Sequence, residues 1–282
     1  MNEFLLRHEP AVRLAFFVGV FATMAAWEQR APRRVPTLSR ALRWTNNVGV
    51  ALLNGVVLRL LFPAAAVGMA ALAEERGWGL FHYLGWSQAA AFVPALVLLD
   101  GAIFLQHVLF HAAPTLWRLH RVHHTDMDFD LTTGARFHPL EIVLSMVLKF
   151  GVVAAIGATP AAVLAFEVLL NATSMFNHSN VALPGPVDRA LRWILVTPDM
   201  HRVHHSVVEH EANSNYGFNL SAWDRLLGTY LAQPAQGHDG MTIGIAGFRD
   251  AKFETLPWML VQPFLGKVED YAINRRRHGD GS

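Results

Sequence analysis

Long apolar runs constrain this chain most, because helices of this length and composition belong in a lipid bilayer. Three runs cover residues 11–27, 48–72 and 89–110, and a membrane helix needs roughly 20 apolar residues, with a lower limit of about 17. Charged residues make up 16% of the sequence, against about 25% in a typical soluble domain. A signal peptide is the alternative for the first run, but no small-residue cleavage site follows it. The sequence therefore predicts an integral membrane protein.

Two shorter apolar runs follow, at residues 142–156 and 161–176, and Gly157-Ala158-Thr159-Pro160 separates them. Glycine and proline end helices, so this pair predicts a helical hairpin. The predicted fold is all-α: a polytopic bundle of four to five membrane helices with a more polar helical cap from Leu183 onward. We divide the chain into N-terminal membrane helices (1–97), a histidine-rich region (98–230) and a C-terminal tail (231–282), in which Arg275-Arg276-Arg277 is expected near anionic headgroups.

Loop charge predicts the orientation in the membrane. The loop after the first run is basic, and it contains Arg30, Arg33, Arg34, Arg40 and Arg43. The next loop has one arginine and two glutamates. By the positive-inside rule the first loop is cytoplasmic, and the third run then returns its end to the cytoplasm. We expect a bacterial inner-membrane protein, with no nucleic acid among its partners.

Histidine is the one residue type that offers a dense set of metal ligands here. The chain has 15 histidines and no cysteine. The absence of cysteine excludes disulfides, iron–sulfur clusters and thiolate-bound haem. Any metal must therefore bind histidine, carboxylate or carbonyl groups.

The third apolar run ends in His107 and His111, which are four residues apart. On a helix this spacing puts both imidazoles on one face, where they can bind one ion. Asp100 lies on the same stripe, and a charge within a membrane helix is functional by default. We expect Asp100 to orient a histidine ring through its second nitrogen, with a hydrogen bond between packed helices as the alternative.

A second pattern occurs twice: His-Arg-Val-His-His at 120–124 and again at 201–205. Each copy gathers three imidazoles on one side of a helix. His178, at the end of the fifth apolar run, is the ninth candidate ligand. The remaining candidates are weaker: His138 as a ligand, a supporting residue or a helix-entry residue, and Asn213, Asn215 and Asp224 as supporting partners.

Several polar residues near these patterns have less specific interpretations. Asp126, Asp128 and Asp130 are expected in a solvated turn rather than a carboxylate site. Arg118, Arg121 and Arg202 are candidates for docking an acidic electron carrier, with membrane anchoring or hydrogen bonding near the site favoured. We expect Trp193 and Trp223 to be interfacial or core aromatics. The other histidines are expected at the surface or interface: His8, His82, His210, His238 and His278.

Nine histidines are too many for one ion, because structural zinc takes four ligands and catalytic zinc three plus water. Imidazole also binds iron and copper, and the zinc-protease motif HExxH is absent from the sequence. Two ions and redox chemistry are therefore expected. A metal-ion transporter is the main alternative. A haem b carrier and a membrane scaffold explain less, since neither requires adjacent histidine pairs.

The histidine series resembles the fatty acid hydroxylase/sterol desaturase superfamily of membrane di-iron oxygenases. The resemblance runs from about Asp100 to Tyr230, and includes three further stretches: 136–141, 215–217 and 223–230. It implies two irons bound by the nine histidines, which are His107, His111, His120, His123, His124, His178, His201, His204 and His205. Some members have a further histidine four residues before the one at 178, where this chain has Ser174.

The resemblance implies an O2-dependent oxidoreductase that hydroxylates or desaturates a lipid, such as a fatty acyl chain or a sterol. No side chain can abstract hydrogen from a lipid C–H bond unaided, so a metal must supply that reactivity. The sequence has no GxGxxG fingerprint and no cysteine. Electrons are therefore expected from a separate ferredoxin, cytochrome or reductase.

Overall fold

The computed structural model describes residues 2–266, and its regular structure is helical. Along this part of the chain no strand forms, and extended segments meet only in three isolated bridges. The helices are α1 Asn2–Arg30, α2 Arg40–Leu61, α3 Ala65–Arg76, α4 Leu80–Tyr83, α5 Gln88–Ala112, α6 Pro114–His124, α7 Pro139–Ile156, α8 Pro160–Asn177, α9 Gly185–Leu191, α10 Pro198–His204, α11 Glu209–Ala212, α12 Ala222–Leu226, α13 Gly237–Gly240 and α14 Leu256–Val261. This confirms the predicted all-α class. The end of the predicted tail, with Arg275–Arg277 and His278, lies outside the described residues.

Four helical segments in the described chain are long and apolar enough to cross a membrane. They are His8–Arg30, Arg40–Tyr83, Gln88–Ala112 and Pro139–Ile156. This agrees with the expected four to five membrane helices. α8 is not among the four; it packs against α1, α3 and α5, and nine of its 18 residues are buried.

The continuous hydrophobicity of the second apolar run suggested one helix, but the structure divides the run into two helices. α2 ends at Leu61 and α3 begins at Ala65. The break coincides with Pro63, which lacks an N–H and clashes with the preceding helical turn. α3 then ends at Gly77, whose φ of 64° is the left-handed conformation that glycine adopts at helix ends.

The predicted hairpin between the fourth and fifth apolar runs is present. Gly157 closes α7 with a φ of 71°. Thr159 starts α8, and its hydroxyl accepts a hydrogen bond from the Ala162 N–H at 3.2 Å. Pro160 occupies the first turn, where a missing N–H costs nothing. Lys149 in α7 donates to Glu167 in α8 at 2.7 Å, so the two helices fold back on each other, and the start of α7 and the end of α8 lie at the same end of the hairpin.

Small residues fill the contacts among the membrane helices. The buried core between α3, α5, α7 and α8 includes Ala66, Ala70, Ala95 and Ala162. Lipid tails are as apolar as leucine, so membrane helices gain little from hydrophobic burial and associate through close packing instead. These alanines let the helix backbones approach each other.

A buried arginine joins the start of α2 to the loop after α6. The Arg43 guanidinium bonds Asp126 at 2.7 and 2.8 Å and also pairs with Asp130. Asp128 instead accepts the backbone N–H groups of Thr37 and Leu38. The expected solvated turn is therefore wrong: all three aspartates are buried, because arginine and backbone donors replace water. Burial disfavours the charged form of Asp126, but Arg43 outweighs it and holds the carboxyl pKa below its usual range.

We expect Arg43→Gln to lower the free energy of unfolding by about 3–5 kcal/mol, because it leaves buried carboxylates without their cation. Chemical denaturation in detergent, followed by circular dichroism, measures this loss. Arg76→Gln is the matched control, since Arg76 is exposed and surface changes stay within about 0.5 kcal/mol. Equal stability of the two variants would contradict the assignment.

Candidate metal centre

The nine candidate histidines are buried and converge at one end of the bundle. His107 and His111 lie in the last turns of α5, and the first repeat of the pentapeptide ends α6. His178 follows α8 directly, while the second repeat lies in and just after α10. Four separate elements therefore supply the cluster.

The histidines form two groups, and within each group the candidate ligand atoms lie within 4.8 Å of one another. The five-histidine group contains His107, His111, His120, His124 and His204. The four-histidine group contains His123, His178, His201 and His205. Their number and proximity suit two neighbouring metal ions.

The two copies of the pentapeptide contribute to the groups in opposite ways. His120 and His124 join the five-histidine group, while His123 between them joins the other. In the second copy His201 and His205 join the four-histidine group, and His204 crosses to the five-histidine group. Residues four apart share a helical stripe, whereas adjacent residues point about 100° apart. Each i, i+4 pair therefore remains in one group.

Backbone carbonyl groups fix which ring nitrogen carries the proton. His107 Nδ1 donates to the Tyr216 carbonyl at 2.7 Å, and His204 Nδ1 donates to the Ser214 carbonyl at 2.7 Å. A carbonyl oxygen only accepts, so the proton is on Nδ1 and Nε2 keeps a bare lone pair. These two Nε2 atoms nevertheless lie 3.0 Å apart. Two lone pairs at this distance cannot bond each other, and a cation between them resolves the repulsion.

The four-histidine group shows the same arrangement. His178 Nδ1 donates to the Ser174 carbonyl at 2.8 Å, and His123 Nδ1 donates to the Thr133 carbonyl at 3.1 Å. Their Nε2 atoms are 3.1 Å apart. Burial lowers the pKa of His178 to about 3 and that of His123 well below its usual value. Both rings are therefore neutral, which is the form that binds metals.

One residue at the centre, Glu141, had no role predicted from the sequence. Glu141, in the first turn of α7, accepts the His120 Nδ1–H at 2.7 Å and is buried. A carboxylate on the second nitrogen orients the ring and makes it a stronger donor. The signal that could have identified Glu141 is its position at the start of an apolar helix, the same signal that drew attention to Asp100.

Two of the predicted supporting residues, Asp100 and Asp224, act on the loop 213–231 rather than on the rings. Asp100 accepts hydrogen bonds from Asn219 at 2.7 Å and Trp223 at 2.9 Å, and contacts no histidine nitrogen. Asp224 accepts the N–H groups of Tyr216 and Gly217 at 2.8 and 2.9 Å. These bonds position the carbonyl groups that the histidines need.

Asn215 and Asn213 belong to the same loop. Asn215 has a left-handed φ of 50°, and its side-chain amide donates to the Met200 carbonyl in α10 at 2.9 Å. Asn213 Oδ1 lies 3.3 Å from His111 Nδ1. Asn215 therefore ties the loop to the second histidine repeat, and Asn213 contacts the His111 ring.

His138 lies outside both histidine groups. Its Nδ1 accepts the Leu140 N–H at 3.1 Å and caps α7, while Nε2 contacts the Leu260 carbonyl at 3.2 Å. Both ring nitrogens of His138 are therefore used by backbone groups.

His238, expected at the surface or interface, is instead buried 3.7 Å from Asp199 and also belongs to neither group.

The three arginines near the histidines are held within the protein. Arg121 and Arg202 are fully buried. Arg121 donates to the Gln262 carbonyl, and Arg202 pairs with Asp199. Arg118 donates to the Pro263 carbonyl at 3.2 Å. These contacts agree with the favoured expectation of hydrogen bonding near the site.

Two partly exposed aromatic rings contact both histidine groups. The Phe218 ring lies 5.0 Å from His107 and 5.9 Å from His201. Phe137 stacks on His123 at 4.4 Å and lies 6.2 Å from His120. These rings give the centre an apolar boundary next to the membrane helices.

The comparisons with known proteins point to one family. The fatty acid hydroxylase family model matches residues 92–229. The chain is 28% identical to ornithine lipid hydroxylase OlsE of Rhizobium tropici, covering 93% of this chain and 76% of that protein. It is 29% identical to human alkylglycerol monooxygenase over 61% of this chain and 37% of that protein. For rat cholesterol 25-hydroxylase the identity is 31%, over 49% and 46%. No solved structure matches the chain.

We expect His204→Ala and His123→Ala each to lower the metal content of the purified protein by about one ion per chain, because each removes a donor from a different group. The double variant should bind neither ion. Mass spectrometry of protein purified in mild detergent measures the content. His210→Ala is the control, since His210 is exposed and outside both groups. Unchanged metal in the double variant would contradict the assignment.

Proposed function

Because the chain belongs to the fatty acid hydroxylase/sterol desaturase superfamily, we propose that it is a membrane-bound di-iron oxygenase that hydroxylates a lipid. The observation that carries this proposal is the convergence of bare histidine Nε2 lone pairs in two adjacent groups. Two ions held only by imidazole suit iron, and the reaction uses O2 and external electrons. Bound iron would supply the activation of O2 that attack on a C–H bond requires.

The residues of the chain perform the remaining tasks. Carbonyl groups hold the histidine tautomers that bind metal, and Glu141 orients His120. Phe137 and Phe218 keep the space beside the two groups apolar. Exclusion of water protects a reactive centre and favours an apolar substrate. The substrate class is therefore a lipid, as the names of the relatives also suggest.

Desaturation is the second outcome of the same chemistry. We favour hydroxylation because the named relatives are an ornithine lipid hydroxylase, an alkylglycerol monooxygenase and a cholesterol 25-hydroxylase. The electron donor is a separate ferredoxin, cytochrome or reductase. The basic first loop and the bacterial relative support a bacterial inner membrane with the metal centre on the cytoplasmic side.

Metal transport suits the geometry less well. A transporter places ligands along a path across the bilayer, whereas all nine histidines here lie at one end of the bundle. Both groups are buried. Near the other end of α5, His82 in α4 lies 2.6 Å from the Trp78 carbonyl through Nδ1 and belongs to neither group.

The direct test uses reconstituted protein with iron, a chemical reductant and ¹⁸O2, with ornithine lipid, alkylglycerol and cholesterol as separate probes. We expect one probe to gain a single ¹⁸O atom, detected by mass spectrometry. His120→Ala is the inactive control, since it removes a candidate ligand. No labelled product from any probe with iron-loaded, reduced protein would overturn these substrate classes. A desaturated product would show that the protein desaturates its substrate rather than hydroxylating it.

We expect Phe218→Ala to spread the oxidation over more carbon positions of the active probe, because it removes a ring that contacts both histidine groups. Fragmentation mass spectrometry of the product locates the hydroxyl group. Metal content should stay at the wild-type value. Phe16→Ala is the control, since Phe16 is exposed on α1 far along the sequence from the centre. An unchanged position would mean that Phe218 does not guide the substrate.

A further inference from the structure

Large apolar side chains are exposed in the section that the sequence analysis assigned to a polar cap. Trp193 is 69% exposed, Ile194 65% and Leu226 74%. Val187 and Leu227 are also exposed. We call these five residues the apolar cap face. A contiguous exposed apolar patch marks a binding surface for another molecule or for a membrane.

The face is built from two chain segments that hold each other. Leu195 and Leu220 form a backbone bridge. The Ser221 N–H donates to the Ile194 carbonyl at 3.2 Å, and its hydroxyl donates to the Arg192 carbonyl at 2.7 Å. Residues before α10 and residues in α12 therefore present one surface.

This surface lies at the depth of the lipid tails. Asp100 is at the middle of α5, a 25-residue candidate membrane span. It binds Asn219 and Trp223 through 2.7 and 2.9 Å hydrogen bonds. The Trp223 ring also packs on Gly101, where a Cβ would lie 2.9 Å from the ring. At 1.5 Å per residue, Asp100 is about 10 Å further along α5 than His107, away from the end that carries the histidines.

The charges around the face fit a membrane surface. The acids of the two segments, Asp188 and Asp224, are both buried. The charges that reach the surface are positive: Arg189 is exposed, and the half-buried Arg225 stacks on Trp193 at 4.3 Å. Tryptophan and arginine with an apolar surface beside them are typical of membrane interfaces, where arginine heads reach the phosphates.

We propose that the apolar cap face is embedded in the bilayer leaflet nearest the histidine groups, with Arg189 and Arg225 at its headgroups. The occupant is the lipid itself. The section after Leu183 then includes a part that enters the membrane without crossing it, in the manner of interfacial helices.

The embedding places the metal centre within reach of lipid tails. Leu105 and Leu109, on the turns of α5 that flank His107, are exposed as well. Lipid therefore borders α5 at the level of the histidines, and the apolar cap face borders it at the level of Asp100. This consequence rests on the proposed function, since it brings a substrate tail to the centre without removing the lipid from its leaflet.

The natural absence of cysteine allows a direct test by single-cysteine labelling. Ile194→Cys and Leu226→Cys are labelled with a nitroxide and reconstituted in phosphatidylcholine–phosphatidylglycerol bilayers. Electron paramagnetic resonance then compares collisions with O2, which partitions into lipid, and with a water-soluble nickel complex. Leu105→Cys is the lipid-facing reference, and Gln233→Cys is the water-facing reference, because both side chains are exposed. Leu227→Cys replaces a variant that does not yield monodisperse protein.

We expect the labels at Ile194 and Leu226 to behave like the label at Leu105, with O2 access exceeding nickel access. Nickel access equal to that at Gln233 would overturn the proposal, because the face would then be in water. Protection from both reagents would also overturn it, in favour of a second copy of the chain on this surface. The measurement needs neither metal nor activity, so it stands apart from the lipid oxidation test.

Discussion

The hydrogen bond from a histidine Nδ1–H to a backbone carbonyl is the interaction on which the candidate metal centre depends. Histidine has two tautomers, and an acceptor-only partner on one nitrogen leaves the other as a bare lone pair. Tyr216, Ser214, Ser174 and Thr133 supply such carbonyl groups to rings in both groups. Without them each ring could turn or hold its proton on Nε2, and the inward lone pairs would be lost.

The carbonyl groups must themselves be fixed, and this explains two acids that have no basic partner. The carboxylates of Asp100 and Asp224 accept hydrogen bonds from N–H groups of the segment 216–223, including the indole N–H of Trp223. Burying an acid is costly unless donors replace the lost water. Here the cost is offset by several hydrogen bonds, and the result is a rigid loop at a defined distance from α5 and α10. Arg43, through its ion pairs with Asp126 and Asp130, fixes the loop that follows the first histidine repeat in the same way.

The sequence predicted the class of fold and the members of the cluster, because both follow from local periodicity. Apolar runs of membrane length indicate helices, and histidines at i, i+3 and i+4 must share a helical side. The division into five and four could not be predicted. His123 and His124 point about 100° apart on the helix, but which group each ring joins depends on how the elements that carry the other histidines pack around α6. We expected Asp100 to orient a histidine ring, but it instead binds a loop 119 residues later in the chain, and only the tertiary structure brings that loop to α5.

The two histidine groups differ in size because position 174, one turn before His178, holds a serine. Each i, i+4 histidine pair contributes both rings to the same group, and α8 supplies only His178 because Ser174 stands one turn before it. The Ser174 hydroxyl donates to the Gly134 carbonyl at 3.2 Å, so it is occupied within the protein. At equal coordination number, an ion in the four-histidine group keeps one more position free of protein donors than an ion in the five-histidine group. Catalytic metal sites retain such open positions for water or substrate, and under the proposed function the four-histidine group would offer that position.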